Sequence, residues 1–456
     1  MNKYPKYKNS GIDWLGDIPE HWDVRKLKND STIKNGSTPS TNNESFWDGN
    51  IIWITPAEIN DVIFINNSKR KITQAGYESC GTNLVPKNSI ILTTRAPIGK
   101  LVIAEKTLCT NQGCKSIIPN NFNTKFQLYQ FKIRNKELNA LGTGTTFMEL
   151  GNFELKNLQY IAPPISEQTT IANFLDYKLE KIDRFITKKK QLIELLNEQK
   201  LAIINHSVTK GLNPNAKMKD SGIEWLGDIP EHWEVRKLKF VAKIKTGRTP
   251  KIESSQYDYF KDGEINWFTP GDFGKEGFLY NSKRKINNFA LTENQVELFP
   301  KNSIYLIGIG GTIGKIGISK EKGSSNQQIN AIIFKENIFP KFGFYSLKTA
   351  KHQIDLLADF TTLPILNQSK TKQIVISFPN YQEQTVIVNH VESETTKIEK
   401  TITTIEKEIA LVEEYKTALI AEAVTGKIDV RDFENPQAEM PMAMAAEEVA
   451  NYGKEN

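Results

Sequence analysis

The chain has 456 residues, 39% of them hydrophobic and 25% charged, which is the balance of a globular protein long enough for roughly two to four domains with their own cores. Its net charge of +6 conceals a division, because residues 1–166 carry +6, residues 167–212 carry +2 and residues 213–382 carry +7, offset by −5 over residues 383–426 and −4 over residues 427–456. No apolar run is long enough to span a bilayer and the N-terminus has no apolar signal core, so the expected location is cytoplasmic with no membrane contact.

Residues 10–28, SGIDWLGDIPEHWDVRKLK, open the pattern. They return at residues 221–239 as SGIEWLGDIPEHWEVRKLK, with Gly11 becoming Gly222. Two copies at so long a period mean a duplicated domain rather than a solenoid. Within this stretch Trp14, Leu15, Ile18, Trp22 and Leu27 are placed to pack, as a framework shared by both copies.

The rest of residues 1–166 alternates short β-branched runs with turn residues: Ile51–Ile54, Val62–Ile65, Ser89–Leu92, Leu101–Ile103 and Ser116–Ile118. A helix is expected over roughly residues 125–141, before the Gly142–Gly144 break. The three cysteines, Cys80, Cys109 and Cys114, all lie in this half. The other half reaches the same length without any, so disulfides cannot hold a shared fold together. Neither CxxC spacing nor a neighbouring histidine supports a zinc site, and buried thiols are the plainer reading.

From Glu167 to Asn205 the chain holds neither Gly nor Pro. Leu175, Leu179, Ile182, Ile186, Ile193, Leu196 and Ile203 fall in alternating steps of three and four, with Lys189 and Lys200 at two seam positions. This is a heptad seam on a helix too long to be buried by one small domain.

Residues 213–382 repeat the first domain. NGSTP at Asn35 becomes TGRTP at Thr246, WITP at Trp53 becomes WFTP at Trp267, and SKRKI at Ser68 recurs at Ser282. IGK at Ile98 recurs at Ile313, and NQ at Asn111 recurs at Asn326. Residues 383–424 repeat the seam through Val391, Thr395, Ile398, Ile402, Ile405, Ile409, Val412, Lys416 and Leu419. The lysines 188–190 can meet Glu406 and Glu408 in an antiparallel pairing or in an offset parallel one. Fitting a compact domain at a helix end favours the antiparallel arrangement.

The expected fold class is thus mixed α/β (α+β). Two duplicated domains, 1–166 and 213–382, are separated by two long helices, 167–212 and 383–428, forming an antiparallel coiled coil in a pseudo-twofold arrangement. The acidic tail 429–456 is expected to be disordered or loosely docked.

The chain carries no P-loop, HExxH or GxSxG motif. The glycine-rich residues 308–314 miss the GxGxxG spacing and lose most of their glycines in the first half, which suits a tight turn. His21 and His232 are equivalent and each stands beside a tryptophan, as packed groups do. No catalytic and no metal-binding residue is assigned.

Two basic domains suit a polyanion. Lys69 and Arg70 match Lys283 and Arg284, and Lys100 matches Lys315. Residues shared by both halves cannot tell two half-sites apart, so backbone phosphate contact is their natural role; solvated surface charge is the competing one. Base reading belongs where the halves differ: Ser37 and Thr38 against Arg248 and Thr249, residues 42–48 against 253–262, Arg95 against Gly310, and residues 142–147 against 359–363. Arg95 suits guanine, and Gln327 and Gln328 suit adenine. Trp53 and Trp267, inside apolar runs, are expected in the core.

The GIxWLGDIPEHWxVRKLK opening, the IGK…NQ spacing and the PPISEQ/PNYQEQ entry into each long helix together make the chain resemble a DNA specificity subunit of a type I restriction–modification system, over about residues 9–428. The resemblance implies two target recognition domains, each reading half of a split target in double-stranded DNA. It implies helices that set the gap and dock two methyltransferase subunits, and motor/nuclease subunits that join for restriction. It implies no cofactor in this chain, with S-adenosylmethionine, ATP and Mg used by the partner subunits. A DNA-binding enzyme with an unrecognised site and a scaffold without sequence preference remain the alternatives.

Overall fold

The short β-branched runs pair into sheets in both halves, and the pairing is the same in each. The computed structural model describes residues 2–60, 62–144, 148–251, 258–274, 277–360 and 364–436. They fall into two compact units, Met1–Lys189 with Lys407–Asn456, and Lys190–Glu406. The units regroup the chain: its closing part belongs with its opening domain.

In the first unit a five-stranded sheet runs in the order Ser31–Asn35, Cys114–Pro119, Ile90–Thr93, Leu101–Ala104, Phe64–Ile65, antiparallel except for the last pair. A three-stranded sheet sets Trp47–Ile54 between Cys109–Thr110 and Lys71–Ile72. The second unit repeats both. Its larger sheet orders Ala242–Thr246, Ile329–Phe334, Ile304–Ile307, Ile316–Ser319 and Phe278–Leu279, and Ile265–Phe268 sits between Arg284–Ile286 and Gly323–Ser325. Central strands such as Ile90–Thr93 and Ile304–Ile307 are buried along their whole length, as strands covered on both faces must be. The helix expected over residues 125–141 is two helices, Thr124–Lys132 and Asn135–Ala140, broken at Ile133 and Arg134.

The repeated opening stretch seats helix ends. In the first unit Ile18 and Trp22 are fully buried in one cluster with Ile171 and Leu175 of the first long helix (Ile165–Lys210) and Ala423 and Val424 of the second (Tyr381–Val424). His21 Nε2 lies 2.8 Å from Glu167 Oε2, and the Tyr4 hydroxyl donates to Glu167 Oε1. At the other helix end Tyr7 Oη donates to Gly426 O at 3.0 Å, and Lys427 Nζ donates to Asp17 O at 3.1 Å. Gly426 has φ +72, and a Cβ there would lie 2.4 Å from Pro19. No residue but glycine fits both the left-handed backbone and that approach.

The second unit repeats the seat with its own pair of ends. Ile229 and Trp233 pack with Ile387 and Val391 near the start of the second helix and with Ile204 and Val208 near the end of the first. His232 Nε2 lies 2.9 Å from Glu383 Oε2, Trp233 Nε1 donates to Glu383 Oε1 at 3.1 Å, and Lys210 Nζ donates to Leu226 O at 3.2 Å. Leu15, Ile18, Trp22 and Leu27 are buried as expected, but Trp14 is 48% exposed. It instead offers its ring to the Arg134 guanidinium 5.4 Å away, because its turn faces outward.

The two long helices have 46 and 44 residues, so each is roughly 66–69 Å long at about 1.5 Å per residue. Of their seam positions, Leu175, Leu179 and Ile186 on the first and Val391, Ile398, Ile405, Ile409 and Leu419 on the second are buried, while Ile182, Ile193, Leu196, Ile203, Ile402 and Val412 are half-buried. In the first unit Lys189 Nζ lies 2.8 Å from Glu408 Oε2, and Asp183 pairs with Lys416. In the second, Lys200 pairs with Glu399. Numbers rise on one helix as they fall on the other, so the pairing within each unit is antiparallel, and Lys189 meets Glu408 as the charge pattern predicted.

Of the two expectations for the acidic tail, its first residues follow docking rather than disorder. Asp429 N donates to Asn2 O at 2.8 Å, Val430 is buried in the first unit's core, and the Phe433 ring meets those of Phe174 and Tyr177. Two apolar side chains and a backbone pairing outweigh the low hydrophobicity that suggested disorder. Residues 437–456 of that tail lie outside the described residues.

Two outcomes follow. Gly426→Ala lowers unfolding stability by about 2–4 kcal/mol through left-handed strain and overpacking. Gly222→Ala, at φ +70 with nothing within 4 Å, costs only about 1–2 kcal/mol. Denaturant titration followed by tryptophan fluorescence measures the difference. Burial pushes the Cys109 and Cys114 thiols up to about 12, so both stay protonated and unreactive at pH 8 while the chain is folded. Mass spectrometry after iodoacetamide treatment should find them alkylated only on unfolding; equal labelling of the folded chain contradicts the burial.

Candidate nucleic-acid interface

In each unit one buried tryptophan ties two loops to the end of one strand, and the residue after it ties a third. In the first, Trp53 Nε1 donates to Ser37 O at 2.9 Å, and Trp53 N donates to Ser68 Oγ at 3.2 Å. Asn111 N donates to Ile54 O, and Ser37 N to Thr110 O, both at 2.9 Å. The loops carrying Ser37–Thr38, Lys69–Arg70 and Asn111–Gln112 therefore gather at the end of Trp47–Ile54. A Cβ on Gly36 would lie 2.0 Å from Asn111 O, so the first loop meets the third only because glycine has no side chain.

The second unit repeats each link. Trp267 Nε1 donates to Arg248 O and Trp267 N to Ser282 Oγ, both at 3.0 Å. Asn326 N donates to Phe268 O at 3.0 Å, and Arg248 N to Ser325 O at 2.8 Å. Both tryptophans belong to the core, as expected.

The shared basic residues are held alike. The Arg70 guanidinium stacks 3.6 Å from the centre of the Trp47 ring, and that of Arg284 stacks 3.6 Å from Phe260. Such contacts fix a guanidinium's plane while leaving its N–H edge to solvent. Lys69 N donates to Glu58 Oε1 at 2.6 Å, and Lys283 N to Asp272 Oδ1 at 2.8 Å, from the carboxylates that also cap the turns after Thr55 and Thr269. All four side chains are exposed. Lys100 and Lys315 are exposed at equivalent turns. Lys315 also lines a cleft of about 430 Å³ together with Lys348 and Lys351.

The polar loop residues divide by their partners. Thr38 Oγ1 donates to Gln112 Oε1 in one unit and Thr249 Oγ1 to Gln327 Oε1 in the other. Gln327 thus has a counterpart in Gln112, a residue of the repeated NQ pair that sequence reasoning passed over. Gln328 stands where the first unit has Gly113, and its Oε1 accepts from Asn326 Nδ2 at 2.9 Å.

Arg95 occupies the turn after Ile90–Thr93 and bridges backbone to backbone with Glu149, as Ile309 does with Ile365. Thr94 N donates to Gly113 O just as Gly308 N donates to Gln328 O. The counterpart of Arg95 is therefore Ile309, not Gly310; the one-residue insertion falls after this position, within the turn. Arg95 Nε donates to Glu149 Oε2 at 2.9 Å, and Lys115 Nζ lies 3.7 Å from Glu149 Oε1. Lys115 and Glu149 carried no sequence signal, because 54 residues separate Arg95 from Glu149. Of the other differing segments, residues 145–147, 252–257 and 361–363 lie outside the described residues.

Two copies of one scaffold, each with a basic loop cluster and differing at Ser37 against Arg248 and Gly113 against Gln328, define a protein suited to a polyanion with two unlike parts. A sequence family described as the type I restriction modification DNA specificity domain matches residues 19–195 and again residues 230–411. The chain belongs to this family, and it is a DNA specificity subunit of the type I restriction–modification kind. It is 29% identical over 432 residues to the specificity subunit of the type I restriction enzyme MjaIX of Methanocaldococcus jannaschii, covering 92% of this chain and 96% of that one. It is 25% identical over 370 residues to the EcoBI specificity subunit of Escherichia coli, covering 77% of each. Among solved structures, a chain from work on assembly and conformational transition of the type I R-M system has a TM-score of 0.70 at 14% identity, covering 90% of this chain and 99% of that one. The HsdS subunit from Thermoanaerobacter tengcongensis gives 0.54 at 15%, covering 90% and 98%. These two likenesses are of fold. No helix among the described residues is long and apolar enough to cross a membrane.

Trp53→Phe removes one hydrogen bond and lowers stability by about 1–2 kcal/mol. Amide exchange then rises at Ser37 and Thr38 and stays unchanged at Arg248 and Thr249; a change in both units contradicts the local role of the tryptophan.

Proposed function

We propose that each loop cluster reads one half of a bipartite target in double-stranded DNA. Lys69, Arg70, Lys100, Lys283, Arg284 and Lys315 contact phosphates. Ser37, Thr38, Arg95, Arg248, Thr249, Gln327 and Gln328 face the bases. The observation that carries this reading is the pair of matching loop clusters: anchored alike and sharing Lys69/Lys283 and Arg70/Arg284, they differ at Ser37 against Arg248 and Gly113 against Gln328. The long helices set the gap between half-sites and dock two methyltransferase subunits, and motor/nuclease subunits join them for restriction. The chain supplies no catalytic group or cofactor. The partners supply S-adenosylmethionine for methyl transfer, and ATP with Mg for restriction. The complex works in the cytoplasm, where its DNA is.

The test is to express the chain with its methyltransferase partner and map methylated sites across a genome. A split motif with one constant gap supports the reading; methylation without a motif, or a motif in one uninterrupted piece, overturns it. Lys69→Ala and Lys283→Ala should each weaken binding equally on all sequences and reduce the salt slope of log K by about 1. A change in the preferred bases assigns these lysines to base reading instead.

A further inference from the structure

The cluster of Arg95, Lys115 and Glu149 is not repeated. Ile309 stands for Arg95 and Ile365 for Glu149, since each pair forms the same backbone bridge. Asn330 stands for Lys115: each pairs with the last residue of the strand beside it, Lys115 with Asn35 and Asn330 with Thr246. The replacement is committed inward. Asn330 Nδ2 donates to Leu366 O and Thr371 Oγ1, both at 2.9 Å, and its Oδ1 accepts from Thr246 Oγ1 at 2.8 Å. At this place the first unit presents a charged reader and the second presents isoleucines.

The cluster is built to aim Arg95. The residue before it is held on both edges, by Thr94 N donating to Gly113 O and Leu150 N donating to Thr94 O, each at 2.9 Å, and Arg95 itself bridges to Glu149. Its Nε is taken by Glu149 Oε2, and the other carboxylate oxygen is held toward Lys115, whose side chain is only 8% exposed. The Arg95 side chain is 45% exposed, and its two terminal nitrogens have no partner among the described residues. Those nitrogens offer the parallel N–H pair that matches O6 and N7 of guanine. Phosphate is the weaker match. The Glu149 carboxylate beside the guanidinium repels a second anion, whereas a guanine edge is neutral. Fixing the side chain beforehand also lowers the entropy lost on contact.

We propose that Arg95 reads a guanine in the half-site addressed by the first unit, with Glu149 as the positioning residue that holds it, and that the second unit has no equivalent reader. This rests on the DNA-recognition reading above. The two fail separately, because a genome-wide motif from the unsubstituted complex tests that reading alone.

The experiment maps methylated sites for the chain with its methyltransferase partner, unsubstituted and as Arg95→Ile, Glu149→Ile and Glu149→Gln. Arg248→Ala, in the second unit, identifies which half-site belongs to which unit. Arg95→Ile should lower discrimination at one G·C position of the first unit's half-site by roughly 5- to 150-fold, leaving the other half-site intact. Glu149→Ile and Glu149→Gln should relax the same position to a smaller extent. A purely structural role for Glu149 predicts loss of methylation at all positions alike. As a check that needs no folded variant, 7-deazaguanine, which lacks the N7 acceptor, is placed at each target guanine and binding of the unsubstituted complex measured. One guanine in the first unit's half-site should show weakened binding. The proposal falls if that half-site contains no guanine, if no guanine responds, or if Arg95→Ile leaves the motif unchanged.

Discussion

The structure depends on one contact: the repeated GIxWLGDIPEHW segment must hold the start of one long helix and the end of the other. A carboxylate near the helix start does the first task. Glu167 takes His21 and Tyr4, and Glu383 takes His232 and Trp233. Glycine does the second, with Gly426 and Gly211 letting the chain turn tightly against the buried tryptophan and its proline. Glu167 is buried, and a buried carboxylate is costly without donors, whereas Glu383 takes the same kind of partners while 31% exposed.

The same logic separates framework from reader. Strand cores, seats and tryptophan ties are shared between halves, because each is fixed by burial and by hydrogen bonds with no spare geometry. The exposed residues on the tied loops are free of that constraint. There Arg248 replaces Ser37, while at a neighbouring turn Ile309 and Ile365 replace Arg95 and Glu149 beside a buried exchange of Lys115 for Asn330. A duplicated fold can thus keep one way of holding DNA and vary what it recognises.

Much of this was legible along the chain. The heptad steps named the buried seam residues of both helices, and the 188–190 lysines named their partner. The alternation of β-branched runs located most strands. Other features were not legible. Trp14 reads as core by its type, yet its turn faces solvent. Residues 125–141 read as one helix, yet the chain breaks at Ile133. The tail reads as disordered or loosely docked by composition, and the apolar partners that Val430 and Phe433 find on the first unit decide for docking. A one-residue insertion hid the match of Arg95 with Ile309 until backbone hydrogen bonds supplied the register.

The sequence by itself determined the duplication, the mixed sheet domains, the two long helices and the DNA-specificity family, because periodicity and repeated motifs are properties of residue order. Only the tertiary structure decided which helix ends share a seat, which loops a buried tryptophan gathers, and that Glu149 holds Arg95. Those depend on side chains far apart in the chain meeting across a packed core, and contact at a distance leaves no local pattern to read.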